Sequence, residues 1–224
     1  MLREKKRTLL LTSLLTLFPI LVGLLLWEKL PERMVTHWGI DGRPDGWSSR
    51  TFVVFGMPLL LLALHWLCMF LTTRDSKNKA QNGKVFSLVL WTTPAVSLFA
   101  AGLSYAAAFG VEVPISGVTC LLLGTMFFLV GNYLPKCKQS YTIGIKISWT
   151  LNSEANWLAT HRFAGRIWTV CGVLLMTTAF LPVTFAFFCS LVLFTAMAVV
   201  PIVYSYRFYK KEQAAQKDPE SPQG

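Results

Sequence analysis

The sequence predicts an all-α, polytopic integral membrane protein with six transmembrane helices and both termini cytoplasmic. Six apolar stretches, at about 8–27, 52–72, 85–109, 115–134, 165–181 and 183–206, are separated by polar ones. At about 1.5 Å per residue, such stretches suit a hydrocarbon core of roughly 30 Å. Composition agrees: of 224 residues, 54% are hydrophobic and only 14% charged. Six helices leave no stretch for a separate soluble domain, so residues 1–224 read as one membrane domain. The third observation is charge placement. On this threading 17 of the 21 Lys and Arg residues fall on one side, and the remaining four share the first loop with four acids. The net charge of +10 therefore reports membrane orientation rather than nucleic-acid binding.

Each element follows from its own residues. Arg3, Lys5, Lys6 and Arg7 precede span one. Its apolar run exceeds a signal-peptide core and no small-x-small site precedes Trp27-Glu28, so it reads as an uncleaved anchor. Pro58 stands near the start of span two, while Pro19, Pro94 and Pro201 lie inside spans where they kink helices. Gly102, Gly117, Gly124, Gly131 and Gly172 suit close helix packing. The connector Thr73–Lys84 is short, charged and reads as solvated. Before span five, Asn152 or Ser153 is an N-cap and Glu154 complements the helix dipole. That predicts a short amphipathic helix along the inner surface, turning into span five, with Trp157, His161 and Ala164 on one stripe. The tail 210–224 has no core-forming residue and reads as disordered. Four cysteines lie in spans and Cys137 in an inner loop, without a CxxC pair, which argues against a disulfide or thiolate zinc site.

The outer loop Glu28–Thr51 is too patterned to be a mere connector. Asp41-Gly42 and Asp45-Gly46 are turn dipeptides, and Pro44 suits a turn from Arg43 to Gly46. Trp27, Trp38 and Trp47 are placed at headgroup depth. The loop therefore reads as a folded-back hairpin resting on the bilayer. It offers His37, Trp38, Asp41, Gly42, Asp45, Gly46 and Trp47 as a surface for a ligand or partner. The spacing of His37, Asp41 and Asp45 brings three hard ligands together, but no helix orients them. Turn formation and a backbone hydrogen bond account for the same residues, so no metal site is assigned.

The inner loop, about 135–164, is the second patterned segment. Trp149, Thr150, Trp157, Thr160, His161 and Arg162 predict a hydrogen-bonded cap over the ends of spans four and five. Whether that cap is the functional site or only holds the two spans together stays open here. Arg162 and Arg166 suit phosphate contact from an interfacial helix. Within the spans no Asp, Glu, Lys or Arg falls near the midplane, which counts against a coupled carrier. His65 reads as a bundle-facing hydrogen-bonding residue. HExxH and GxSxG are missing, no nucleophile–base pattern appears, and no cofactor is indicated.

Two sets of residues carry a resemblance. Leu30-Pro31, Thr36-His37-Trp38 and Gly42-Arg43-Pro44-Asp45-Gly46-Trp47 resemble the N-terminal module of unknown function found in SdpI-like bacterial membrane proteins. Gly131-Asn132-Tyr133, Ile143-Gly144-Ile145-Lys146, Trp149-Thr150-Leu151, Trp157, Thr160-His161-Arg162 and Ala164-Gly165-Arg166 resemble the C-terminal SdpI signature. On this resemblance Asn132, Gly144, Lys146, Trp149, Thr150, Trp157, Thr160, His161, Arg162, Gly165 and Arg166 form the inner motif. Residues 8–72 become a two-span module and 85–206 a four-span region. Lys146 and Ser148 depart from the family pattern, which has Arg and Pro there; Lys lacks the bidentate reach of Arg.

The resemblance implies a non-enzymatic immunity or receptor protein of the bacterial cytoplasmic membrane. Its partners would be the lipid bilayer, a secreted toxic peptide and a cytosolic repressor, with no nucleic acid. The alternative is a transporter or exporter of a small hydrophobic or peptidic compound. A membrane-embedded enzyme using His37 or His161 lacks a partner constellation.

Overall fold

The computed structural model describes residues 2–77 and 83–217. Lys79 of the basic connector and residues 218–224 of the tail lie outside them. The elements run α1 (Leu2–Leu25), β1 (Arg33–Trp38), β2 (Pro44–Ser49), α2 (Met57–Arg74), α3 (Gly83–Ala108), α4 (Ile115–Tyr133), α5 (Ser148–Asn152), α6 (Glu154–Thr177) and α7 (Val183–Lys217). Among the described residues six helical segments are long and apolar enough to cross a membrane: Lys6–Leu25, Phe52–Arg74, Gly83–Ala108, Ile115–Lys136, Glu154–Phe180 and Val183–Gln216. The protein is a multi-pass membrane protein. One end of the bundle gathers most of the basic residues and the loop between α4 and α6. The other carries the β-hairpin.

The helices form two groups of three. In the first, α1 is tied to α2 and α3 by polar side chains that find partners inside the bundle, as buried groups must. His65 lies between Thr12 (3.0 Å) and Thr93 (3.2 Å), the bundle-facing role its sequence position predicts. Ser97 donates to the Thr16 carbonyl and the Tyr105 hydroxyl to that of Pro19, both at 2.8 Å. Leu30 and Met34 from the hairpin's base pack with Val53, Val54, Ala101 and Tyr105.

The second group, α4, α6 and α7, is built on backbone approach. Gly117, Gly124 and Gly131 recur every seven residues along α4, facing Ala179, Gly172 and Gly165 in antiparallel order. A Cβ on Gly124 would lie 2.7 Å from the Gly172 carbonyl oxygen, and one on Gly172 2.5 Å from the Phe128 nitrogen. Without a strong hydrophobic drive between helices in lipid, such close packing supplies the attraction. Gly102 is different: nothing lies within 4 Å of its Cβ position, so it makes no helix contact of the kind expected.

Two further expectations change. The residues from Glu154 do not lie along the surface and turn; they are the first turns of one continuous helix, α6. Ser153 is its N-cap, accepting from the Asn156 N–H at 3.0 Å, and the separate short helix is α5 just before it. The tail is helical through Lys217, because α7 continues about 52 Å and packs its polar extension against α5. The local composition reads as disorder only while that partner is out of view.

Gly172→Ala and Gly131→Ala are expected to lower the thermal unfolding temperature of the solubilised protein by several degrees. Each added methyl meets backbone that cannot rotate away, an overpacking cost of about 1–3 kcal/mol. Gly102→Ala is the control and should leave that temperature unchanged or raise it. Equal behaviour of all three variants would rule out the glycine crossing as the bundle's organising contact.

Candidate functional site

The hairpin end comes first. Strands β1 and β2 pair antiparallel, with Val35 opposite Trp47, His37 opposite Gly46 and Trp38 opposite Pro44. The turn is Gly39–Arg43: Gly39 N–H donates to the Arg43 carbonyl at 2.8 Å, and Asp41 Oδ1 accepts from the Arg43 N–H at 3.1 Å. Gly42 adopts φ 77°, the left-handed conformation this turn requires. Only one of the two expected Asp-Gly turns therefore exists. Asp45 and Gly46 lie within β2, where a Cβ on Gly46 would come 2.8 Å from the Cβ of His37. The glycine serves cross-strand packing, and Pro44 takes the first strand position, where its missing N–H is tolerated.

The three residues considered for a cation are engaged in pairs. His37 Nδ1 bonds Asp45 Oδ1 at 2.5 Å, while Asp41 faces Arg43. The hairpin's base is fastened by Arg50, which donates to the carbonyls of Trp27 (2.7 Å) and Leu30 (3.0 Å) and lies over the Trp27 ring. Its tip leans across to the second helix group. Trp38, Gly39, Ile40 and Gly42 form one side of an apolar cavity of about 240 Å³. The other sides come from Ile115, Thr119, Cys120 and Leu123 of α4, Leu175 of α6, and Val183, Phe187, Ser190 and Phe194 of α7. Trp47 stays half exposed, away from this cavity.

At the basic end the inner loop closes over α6. Trp157 and His161 are fully buried and their rings stack 4.0 Å apart. Trp157 Nε1 donates to the Cys137 carbonyl at 2.8 Å. His161 uses both nitrogens: Nε2 accepts from the Ile145 N–H at 3.0 Å, so Nδ1 is the donor to the Trp157 carbonyl at 2.8 Å. This pattern assigns a neutral ring with one tautomer. Gly144 passes directly over the pair. Its φ is 120°, and a Cβ there would lie 2.6 Å from His161 Nε2. The buried Thr150 hydroxyl bonds the Ile145 and Ile147 carbonyls and accepts the Ile147 N–H. Asn156 bridges to α7, donating to the Ser205 carbonyl and accepting from the hydroxyls of Thr160 and Ser205. Trp149 packs between Tyr206 and Tyr209, with its shielded Nε1 lacking a partner.

Of the predicted inner motif, Gly144, Trp149, Thr150, Trp157, Thr160, His161 and Gly165 thus lie in or beneath this cap. Asn132, Lys146, Arg162 and Arg166 do not. All four are exposed, and Asn132 merely donates to the Phe128 carbonyl on its own helix.

Sequence reasoning missed the residue on which the cap rests. Asp75 follows α2 in the connector expected to be solvated, yet it is buried. Its Oδ2 accepts from the Ser140 hydroxyl (2.7 Å), the Thr142 hydroxyl (2.9 Å) and the N–H groups of Tyr141 (2.8 Å) and Thr142 (3.0 Å). Oδ1 accepts from the Lys77 N–H at 2.9 Å. The one available signal was that Asp75 is the sole acid in an otherwise basic connector.

Comparison with known proteins adds two family matches. A domain of unknown function (DUF1648) matches residues 14–62, and the SdpI/YfhL protein family matches residues 136–205. The Immunity protein SdpI of Bacillus subtilis (strain 168) is 26% identical over 192 residues, covering 85% of this chain and 90% of that one. No solved structure matches.

Burial alone would raise the Asp75 carboxyl, but the hydroxyls of Ser140 and Thr142 and the N–H groups of Lys77 and Tyr141 outweigh it and hold it below the ordinary aspartate range. With the folded value below the unfolded one, this contribution is complete above the unfolded range and is lost as pH falls through the folded value. Amide exchange at 139–143, corrected for its intrinsic pH dependence, should therefore stay slow until the medium is more acidic than ordinary aspartate titration. Loss of protection already near neutral pH would contradict this assignment.

Proposed function

From a chain that carries both modules of the SdpI-like membrane proteins in order, we propose an immunity protein that protects its cell from a toxic membrane-active peptide. It works by binding, without catalysis, in the cytoplasmic membrane of a bacterium. The basic end faces the cytoplasm and the hairpin faces outward, a reading supported by the uneven placement of Lys and Arg. The observation that carries the proposal is the overhang of the hairpin tip on the second helix group. Trp38, Ile40 and Gly42 meet Ile115, Val183 and Phe187 around an apolar cavity that takes one or two large side chains. A peptide reaching the outer surface would place an apolar residue there while its polar part meets the exposed edge at His37, Asp41 and Asp45. The cap at the other end is the scaffold, since His161 has no ring nitrogen left for a ligand.

Expression in a peptide-sensitive host, challenged with a panel of membrane-active peptides, is the test. Wild-type protein should rescue growth against at least one peptide. Ile40→Asp at the exposed cavity mouth and Ser190→Phe within it should each cost about tenfold or more in tolerated peptide concentration, at unchanged membrane abundance. Full protection by both variants would refute this site, and saturable peptide export from vesicles would favour a transporter. A reporter fused at Asp41 should read as external; a cytoplasmic signal would invert the topology. His161→Ala should lower membrane abundance rather than yield abundant, inactive protein.

A further inference from the structure

We propose that the segment Asp75–Lys77, which follows α2, is a latch through which the first helix group sets the conformation of the inner loop, with Asp75 as its positioning residue. Asp75 lies outside both matched family stretches, 14–62 and 136–205. An apolar seam also joins the two helix groups at this end, where Val85 packs with Cys137 and Trp157. Such a seam is non-directional and tolerates sliding. The connector is directional. One Asp75 oxygen accepts four hydrogen bonds from Ser140–Thr142, each strengthened by the carboxylate's charge. Two residues on, Lys77 Nζ donates to Gln139 Oε1 at 3.1 Å and to the Leu151 carbonyl at 3.2 Å. Gln139 in turn donates to the carbonyls of Thr150 and Leu151. Asp75 and Lys77 therefore grip both limbs of the loop, the bent segment 139–142 and the helix α5.

The bond from Oδ1 to the Lys77 N–H fixes the connector's own turn, so both grips move as one unit. Losing the Asp75 grip removes the acceptor shared by four donors and leaves several of them buried. That cost falls on the loop and not on the glycine crossing of α4 and α6. The expected result is a loop that opens locally while the bundle persists. Cys137 reports such an opening, because its thiol is buried beneath the loop, 3.6 Å from the Ile143 carbonyl. It is also the one cysteine outside the spans, and so the one placed for a charged, membrane-impermeant maleimide.

The experiment is independent of whether the protein confers immunity. Full-length protein in lipid nanodiscs is treated with a charged maleimide, and the rate at Cys137 is read by peptide-resolved mass spectrometry. Asp75→Ala should raise that rate by about tenfold or more, and Asp75→Asn by less. The double variant Ser140→Ala/Thr142→Val, which removes two donors at the other side, should raise it too. Combining it with Asp75→Ala should add little, because both act on one latch. Amide exchange across 33–49 should be unchanged in every variant. A Cys137 rate equal to wild type in Asp75→Ala would overturn the proposal. So would a parallel rise in exchange at the hairpin, or failure of all these variants to accumulate as folded protein, since either would make the connector a general folding element.

Discussion

Everything at the basic end depends on the distance between α4 and α6. The glycine pairs along their crossing bring backbone against backbone, at a separation that a Cβ at these positions would not allow. Fixing it puts the ends of the two helices close together, and the chain from 134 to 153 has to fold back over α6 rather than span a gap. Gly165 continues the same logic into the loop, since a Cβ there would strike the ring of Pro135 at 2.7 Å. The cap is thus a consequence of helix packing before it is anything else.

Folding back brings many backbone amides away from water, and each needs a partner. The inner motif and Asp75 supply these. Trp157 serves Cys137, His161 serves Ile145, Thr150 serves Ile147, and Asp75 serves Tyr141 and Thr142. The specific polar chemistry of this segment is what a buried loop demands. Both ring nitrogens of His161 are engaged within the loop and α6, and this supports the scaffold role proposed for it.

The two ends then differ in kind. The cap around Trp157 and His161 is buried, polar and largely satisfied within itself, with the Trp149 indole nitrogen an exception beside it, where a polar cleft of about 370 Å³ opens between α5 and α7. The hairpin end is open and apolar, with a cavity formed where segments far apart in sequence approach each other. A shaped apolar cavity beneath a polar overhang suits recognition better than a network whose members are already bonded to one another.

How much of this was legible depends on the range of the interaction. Six spans, the basic asymmetry, the hairpin and the Ser153 cap follow from local composition and short spacing, which act within a few residues. Gly117, Gly124 and Gly131 stand at a seven-residue spacing visible in the sequence, but their partners on α6 are not visible, and Gly102, the same residue type, has no such partner. The Asp45-Gly46 dipeptide carries a turn signal that lost to the strand register, because His37 on the opposite strand needed the space. The helical extension of α7 to Lys217 exists because α5 lies beside it. Asp75 is the clearest case: standing as the sole acid of a basic connector is its one local hint, and its partners begin 65 residues away. Sequence by itself determined which segments enter the membrane, since the bilayer judges each segment on its own hydrophobicity. Only the tertiary structure decided which polar residues are buried together, since that depends on contacts between residues as far apart as 19 and 105.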